Sequence, residues 1–332
     1  MQPKALADFL EDRGLELLYQ WFQAFVKHSP RYHQGTRAVL PGAFTLIFNQ
    51  LLGLLRGGDE ISLPIGHREV YGDDIDGRHL SDLLGILLSG EAILWRETMT
   101  ERGPALSCLE KATELEQLNA AFHQLLKTHV VEFCDDCEDL LADYCRQVQE
   151  RAPVTKRTAK PLRDPLEHRS LAYLPPMERH TSAQGTLAGF LRERRQEIVA
   201  RWLILVDEHQ FHLLRGRVES VGSTISELLD EAIATVTCST LHAPRLRNTP
   251  SPIDCAPNAL HVILAGEEAI AGLLRGPQQK IDEPWLNLRA ELNKAFHELL
   301  RNNVASECAR CRRLLGASRN RLRALHHRAV AL

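Results

Sequence analysis

Apolar residues recur at intervals of three and four along residues 5–27, at Leu6, Phe9, Leu10, Leu17, Leu18, Trp21 and Phe25, with charged residues between them. That spacing predicts an amphipathic helix. Two more apolar runs cover 39–56, ending at Gly57-Gly58, and 79–97. Between them SLPIGHREVYGDDIDG (62–77) is glycine-rich and acidic and predicts a loop. No Gly or Pro occurs between Pro104 and Pro153, which predicts one long helix or two closely joined ones over 107–149. The same order of elements is predicted again at about 186–208, 213–237, 257–275 and 284–328. Strand-type alternation is nearly absent. The expected fold class is all-α, with two helical bundles in tandem.

The two halves also match residue by residue. LADFLEDRGLELLYQW (6–21) aligns with LAGFLRERRQEIVARW (187–202), LLSGEA (87–92) with ILAGEE (263–268), and LNAAFHQLL (118–126) with LNKAFHELL (292–300). The offset drifts from 181 to 176 to 174, as loop insertions and deletions produce. This is the signature of an internal duplication with long units. The expected organisation is one helical unit over 1–150, a linker over 151–185 and a second unit over 186–332. The linker carries five prolines and many basic residues, the composition of a partly extended tether.

Composition changes this picture only in part. A chain of 332 residues, 44% hydrophobic and 25% charged, has the make-up of an ordinary globular protein long enough for two cores. The start has acidic residues and no long apolar run, and no uninterrupted apolar stretch reaches membrane-spanning length. The expected location is cytoplasmic. The net charge of −3 conceals an uneven spread: residues 1–150 hold 24 acidic and 13 basic side chains, residues 151–332 hold 19 and 27. Docking of the acidic first unit on the basic second unit is the expectation, ahead of an acidic external partner. The arginines of the C-terminal stretch, Arg310, Arg312, Arg313, Arg319, Arg321, Arg323 and Arg328, come without a recognised reading-helix pattern, so nucleic acid is disfavoured as a partner.

The candidate chemistry lies in FHQLLKTHVVEFCDDC (122–137) and its near-copy FHELLRNNVASECARC (296–311). Residues three apart on a helix share a face, so Cys134 with Cys137, and Cys308 with Cys311, can each act as a pair. Two thiolates supply half of a tetrahedral sulfur shell. Convergence of the two equivalent helices would supply the other half, and four thiolates bind zinc or hold an iron–sulfur cluster. The competing readings are buried structural cysteines with no metal at all, and a redox dithiol in each unit. A position in mid-helix, away from a strand-to-helix junction, disfavours the dithiol.

His123 and His297 each follow a Phe and precede the first Cys of their motif by eleven residues. That is ~16 Å along a helix, too far for His and Cys to share one ion. His123 with Glu91, and His297 with Glu267, are instead candidates for a secondary metal or ligand pocket. The plainer expectation is a His–Glu hydrogen bond inside each bundle. No phosphate-binding glycine loop, nucleophile elbow or haem-attachment motif is present, so an enzyme is not the leading reading.

LADFLEDRGLELLYQWFQAFVK (6–27) and LAGFLRERRQEIVARWLILVDE (187–208), followed in order by LLGLLRGGD (51–59) and the GEAIL and GEEAI helices, resemble the RsbRD-type amino-terminal domain. The resemblance implies a helical, globin-like sensory module of stressosome proteins and sensor kinases, without catalysis. The Cys-x-x-Cys pairs are not part of that pattern. The leading expectation is a non-catalytic sensor or adaptor with zinc or an iron–sulfur cluster between its units and a protein partner in a signalling or redox chain. The alternatives are an electron-transfer protein using a cluster or dithiols, and a metal-free interaction scaffold.

Overall fold

The computed structural model describes residues 5–28, 40–58, 80–151, 186–209, 218–237, 256–275 and 281–304. The fold is all-α, with no strand among the described residues. In the N-terminal half the helices are α1 (Leu6–Asp12), α2 (Gly14–His28), α3 (Leu40–Leu55), α4 (Leu80–Glu97) and α5 (Cys108–Arg151). In the C-terminal half they are α6 (Leu187–Glu193), α7 (Arg195–His209), α8 (Val218–Thr237), α9 (Ala256–Leu274) and α10, described over 283–304. The linker expected at 151–185 falls, apart from Arg151, outside the described residues, as does the loop expected at 62–77.

Several element ends have local causes. The run expected as one helix over 5–27 is two, broken at Arg13, where ψ swings to 10°. The second half breaks at the equivalent Arg194, with ψ 18°. Helix α3 ends in a Schellman motif. Gly57 takes φ 84°, its N–H donates to Leu54 O at 3.0 Å, and Gly58 N–H donates to Gly53 O at 3.0 Å. The stretch over 107–149 forms one helix of 44 residues. A capping box starts it: Ser107 Oγ accepts from Glu110 N–H at 3.3 Å, and Glu110 Oε2 accepts from Ser107 N–H at 2.8 Å. Such caps contribute about 1 kcal/mol.

Between α4 and α5 lies a π-helical turn, Thr98–Arg102, and a 3-10 turn, Gly103–Ala105, neither legible in the periodicity. The turn aims Arg102 at Glu114 on α5, at 2.6 and 2.8 Å.

Within the N-terminal half α2 packs on α4, and α3 on α5; within the C-terminal half α7 packs on α9 and α8. Helix α5 also packs against α9, so the halves are in direct contact. One continuous apolar core runs through both, from Leu6 to Val304. A smaller cluster of Ala112 and Leu115 with Trp285 and Leu286 joins the starts of α5 and α10. No described helix is long and apolar enough to cross a membrane.

Candidate functional site

The site begins with a glycine in each half. Trp21 on α2 is fully buried and its Nε1–H donates to Ile86 O on α4 at 2.7 Å. Trp202 on α7 does the same to Val262 O on α9 at 2.6 Å. Each accepting carbonyl lies one turn before a glycine, Gly90 or Gly266, and a Cβ at either would fall inside the indole ring. The tryptophan therefore lies directly on the helix, which only glycine permits.

The next residue in each helix is a glutamate, Glu91 or Glu267, and both are buried. They meet between the halves. Glu91 Oε1 accepts from Asn119 Nδ2 at 3.0 Å and Asn293 Nδ2 at 2.6 Å, and its Oε2 lies 2.9 Å from His297 Nε2. Glu267 Oε1 accepts from Asn119 Nδ2 at 3.1 Å and Arg289 Nη1 at 2.7 Å, and its Oε2 lies 3.1 Å from His123 Nε2. Asn119 thus spends both N–H bonds of its carboxamide on the two carboxylates.

Each histidine therefore bonds the glutamate of the opposite half. The sequence reading pairs His123 with Glu91 and His297 with Glu267 inside one bundle, and the hydrogen bonds correct it. The physical reason is that α5 packs on both α4 and α9, so its Asn119–His123 face lies between the two glutamates; Asn119 reaches both carboxylates and His123 takes that of Glu267.

The electrostatics follow from burial and these partners. Burial pushes the Glu91 carboxyl up, but the charge and hydrogen bond of His297, with His123 beyond it, bring it below the ordinary value. Burial also opposes ionisation of Glu267, and Arg289 and His123 outweigh it, holding that carboxyl well below the ordinary range. Arg289 further lies 5.9 Å from the centre of the Trp95 ring, a cation–π contact. The matched position in the first half is Leu115, which packs in the small cluster around Trp285. The arrangement is therefore two-fold in outline with a guanidinium on one side only.

Helices α5 and α10 start together and run in the same direction. Lys111 Nζ is 2.6 Å from Glu283 Oε1 at their starts, Asn119 and Asn293 share one oxygen of Glu91, and one turn later the two histidines take their crossed glutamates. Arg275 and Glu116, 2.7 Å apart, add a second ion pair between the halves.

Of the proposed thiol ligands, Cys134 is half-buried and packs against the main core. Cys137 lies on α5, but its side chain, and the whole of Cys308 and Cys311, fall outside the described residues. Among the described residues no three His, Cys, Asp or Glu side chains form a metal-holding group.

The sequence reading singled out both histidines and both glutamates but missed Asn119, Asn293 and Arg289. The asparagines had a signal: LNAAFH and LNKAFH each place Asn four residues before His, on the same helix face. Arg289 had none, because its matched residue is a leucine.

Every carboxylate oxygen in the cluster is engaged by at least one donor, so its chemistry is that of a clamp and not of an open acid–base pair. No protein-family model matches the chain, and no curated protein or solved structure is significantly similar to it.

Proposed function

We propose that the chain is a non-catalytic sensor or adaptor whose two duplicated helical units are clamped along α5 and α10. In this reading the Cys-x-x-Cys pairs that follow share one zinc ion or iron–sulfur cluster. The observation that carries it is the parallel, in-register start of these two helices, fixed at Lys111–Glu283, Asn119–Asn293 and the crossed His–Glu pairs. Cys134 and Cys308 each follow their histidine by eleven residues in the sequence, which on a helix that continues is close to three turns and would put each thiol on the face of its histidine. A pairing that continues in register brings Cys134, Cys137, Cys308 and Cys311 to one level, a donor set suited to tetrahedral zinc or a four-iron cluster. The sensory role implied by the resemblance to RsbRD-type domains is part of the same proposal, with a signalling protein as the partner.

The test is metal and acid-labile sulfide content, with the visible spectrum, of protein purified without oxygen, beside a Cys134→Ser/Cys308→Ser variant. Zinc, or iron with sulfide, lost in the variant supports the reading. Metal-free wild-type protein, or metal unchanged in the variant, overturns it. A second reading, a metal-free interaction scaffold, draws on the packing of Cys134 against the core. It expects that metal-free outcome.

A further inference from the structure

The first half carries polar groups where the second half carries apolar ones. Glu97, the last residue of α4, and Thr98, the first of the π-helical turn, are both buried, Thr98 completely. Their matched positions on α9 are Leu273 and Leu274, which pack in the main core. The second half otherwise repeats the neighbourhood. Phe190, Arg194 and Glu197 stand where Phe9, Arg13 and Glu16 stand, and each arginine lies 5.8 Å from the centre of its phenylalanine ring. The packing therefore does not need a buried carboxylate and hydroxyl at this place.

Glu97 is well engaged. Its Oε2 accepts from Arg13 Nη2 at 3.2 Å, and its Oε1 accepts from Arg96 at 3.0 and 3.1 Å. Thr98 differs. Among the described residues its Oγ1 is buried with no hydrogen-bond partner, and so is Nη1 of Arg13. Such groups are destabilising when left unpaired, and native structures satisfy nearly all of them. Thr98 also opens the π-helical turn, and turns of that kind concentrate at functional positions.

The two groups lie in one neighbourhood. Thr98 and Arg102 are four residues apart, about one turn, and so share a face. The Arg102 guanidinium lies 5.7 Å from the centre of the Phe9 ring, which Arg13 also approaches. Arg13 in turn reaches the carboxylate of the residue next to Thr98. The charges here are already matched: Arg13, Arg96 and Arg102 pair with Glu16, Glu97 and Glu114. An occupant is therefore neutral. It must accept from a guanidinium N–H and also bond a hydroxyl, and a water molecule does both.

We infer that one buried water molecule bridges Thr98 Oγ1 and Arg13 Nη1. A buried water makes about three hydrogen bonds, and the Glu97 carboxylate beside both groups takes the third. The bridge ties the break between α1 and α2 to the π-helical turn. That turn aims Arg102 at Glu114, so the water helps to set α4, which carries Glu91, against α5, which carries Asn119.

Oxygen-17 relaxation dispersion of the full chain counts long-lived buried waters, and urea unfolding gives the stability. Thr98→Val keeps the shape and removes the hydroxyl. It is expected to lose one long-lived water and to raise the unfolding equilibrium constant about fivefold. Thr98→Ser keeps the hydroxyl and is expected to keep the water. A hydroxyl with no water on it gives the opposite sign, because valine then removes an unpaired polar group and stabilises the protein. An unchanged water count in Thr98→Val, a valine variant at least as stable as the wild type, or loss of the water in Thr98→Ser would each overturn the inference.

Discussion

Replacing Glu267 by Gln keeps the shape of the residue and removes one charge from the centre of the molecule. The side chain of Arg289 is 4% exposed and its guanidinium lies 2.7 Å from the carboxylate it would lose. His123 would lose the anion on its Nε2 at 3.1 Å. The new amide would also turn an N–H toward one of these donors. Breaking a buried pair by removing one partner costs about 3–5 kcal/mol, because the surviving charge stays buried without compensation. The upper part of that range applies here, since two further donors depend on the same carboxylate. Against a typical total stability of about 5–15 kcal/mol this is a large fraction. Urea unfolding followed by far-UV circular dichroism measures it. Glu267→Leu/Arg289→Leu supplies the control, because it leaves no uncompensated Arg289 charge, although Asn119 and His123 still lose an acceptor; the double variant should be less destabilised than Glu267→Gln. If Glu267→Gln unfolds within about 1 kcal/mol of wild type, the carboxylate that takes Asn119 and His123 from the other half does not hold the halves together and the clamp reading is wrong.

The same geometry yields further expectations. Glu91→Gln should cost less than Glu267→Gln, roughly 1–3 kcal/mol in the same urea assay, because Glu91 faces two carboxamides and one imidazole and no guanidinium. Both carboxyls ionise more readily folded than unfolded, so between the two values the unfolded chain binds more protons and stability rises with pH. Their contribution is complete above the ordinary carboxylate value of 4.5 and is lost as pH falls below it. Unfolding midpoints of a Glu91→Gln/Glu267→Gln variant should therefore fall less steeply than those of the wild type on acidification below that value. Gly90→Ala and Gly266→Ala each force an indole off its helix. A loss of about 1–3 kcal/mol and a red shift of tryptophan emission are expected, and unshifted emission would refute the close packing.

How much of this was legible in the sequence varies with the physics involved. Helix content came from three-and-four spacing and the absence of Gly and Pro, so the 44-residue α5 was readable as a span. The break at Arg13 was not, because the apolar pattern runs on through it while the backbone turns. The π-helical turn at Thr98–Arg102 leaves no mark on a 3.6-residue period either. Glu91, Glu267, His123 and His297 stood out because the two halves repeat them, but their pairing depends on which helices touch. Periodicity within one half carries no information about the crossing of α5 and α9 between halves. Gly90 and Gly266 were visible as part of a repeated Gly-Glu step, and their purpose became clear only with an indole lying across them.

One metal ion or cluster shared between the halves is the central proposal, and metal stoichiometry in a half-site variant tests it most directly. In Cys134→Ser/Cys137→Ser only the first pair is removed. If four thiolates hold a single ion or cluster, wild-type protein carries about one per chain and this variant carries almost none, although Cys308 and Cys311 remain. Metal retained at half the wild-type amount would mean separate sites in each unit and would contradict the shared clamp.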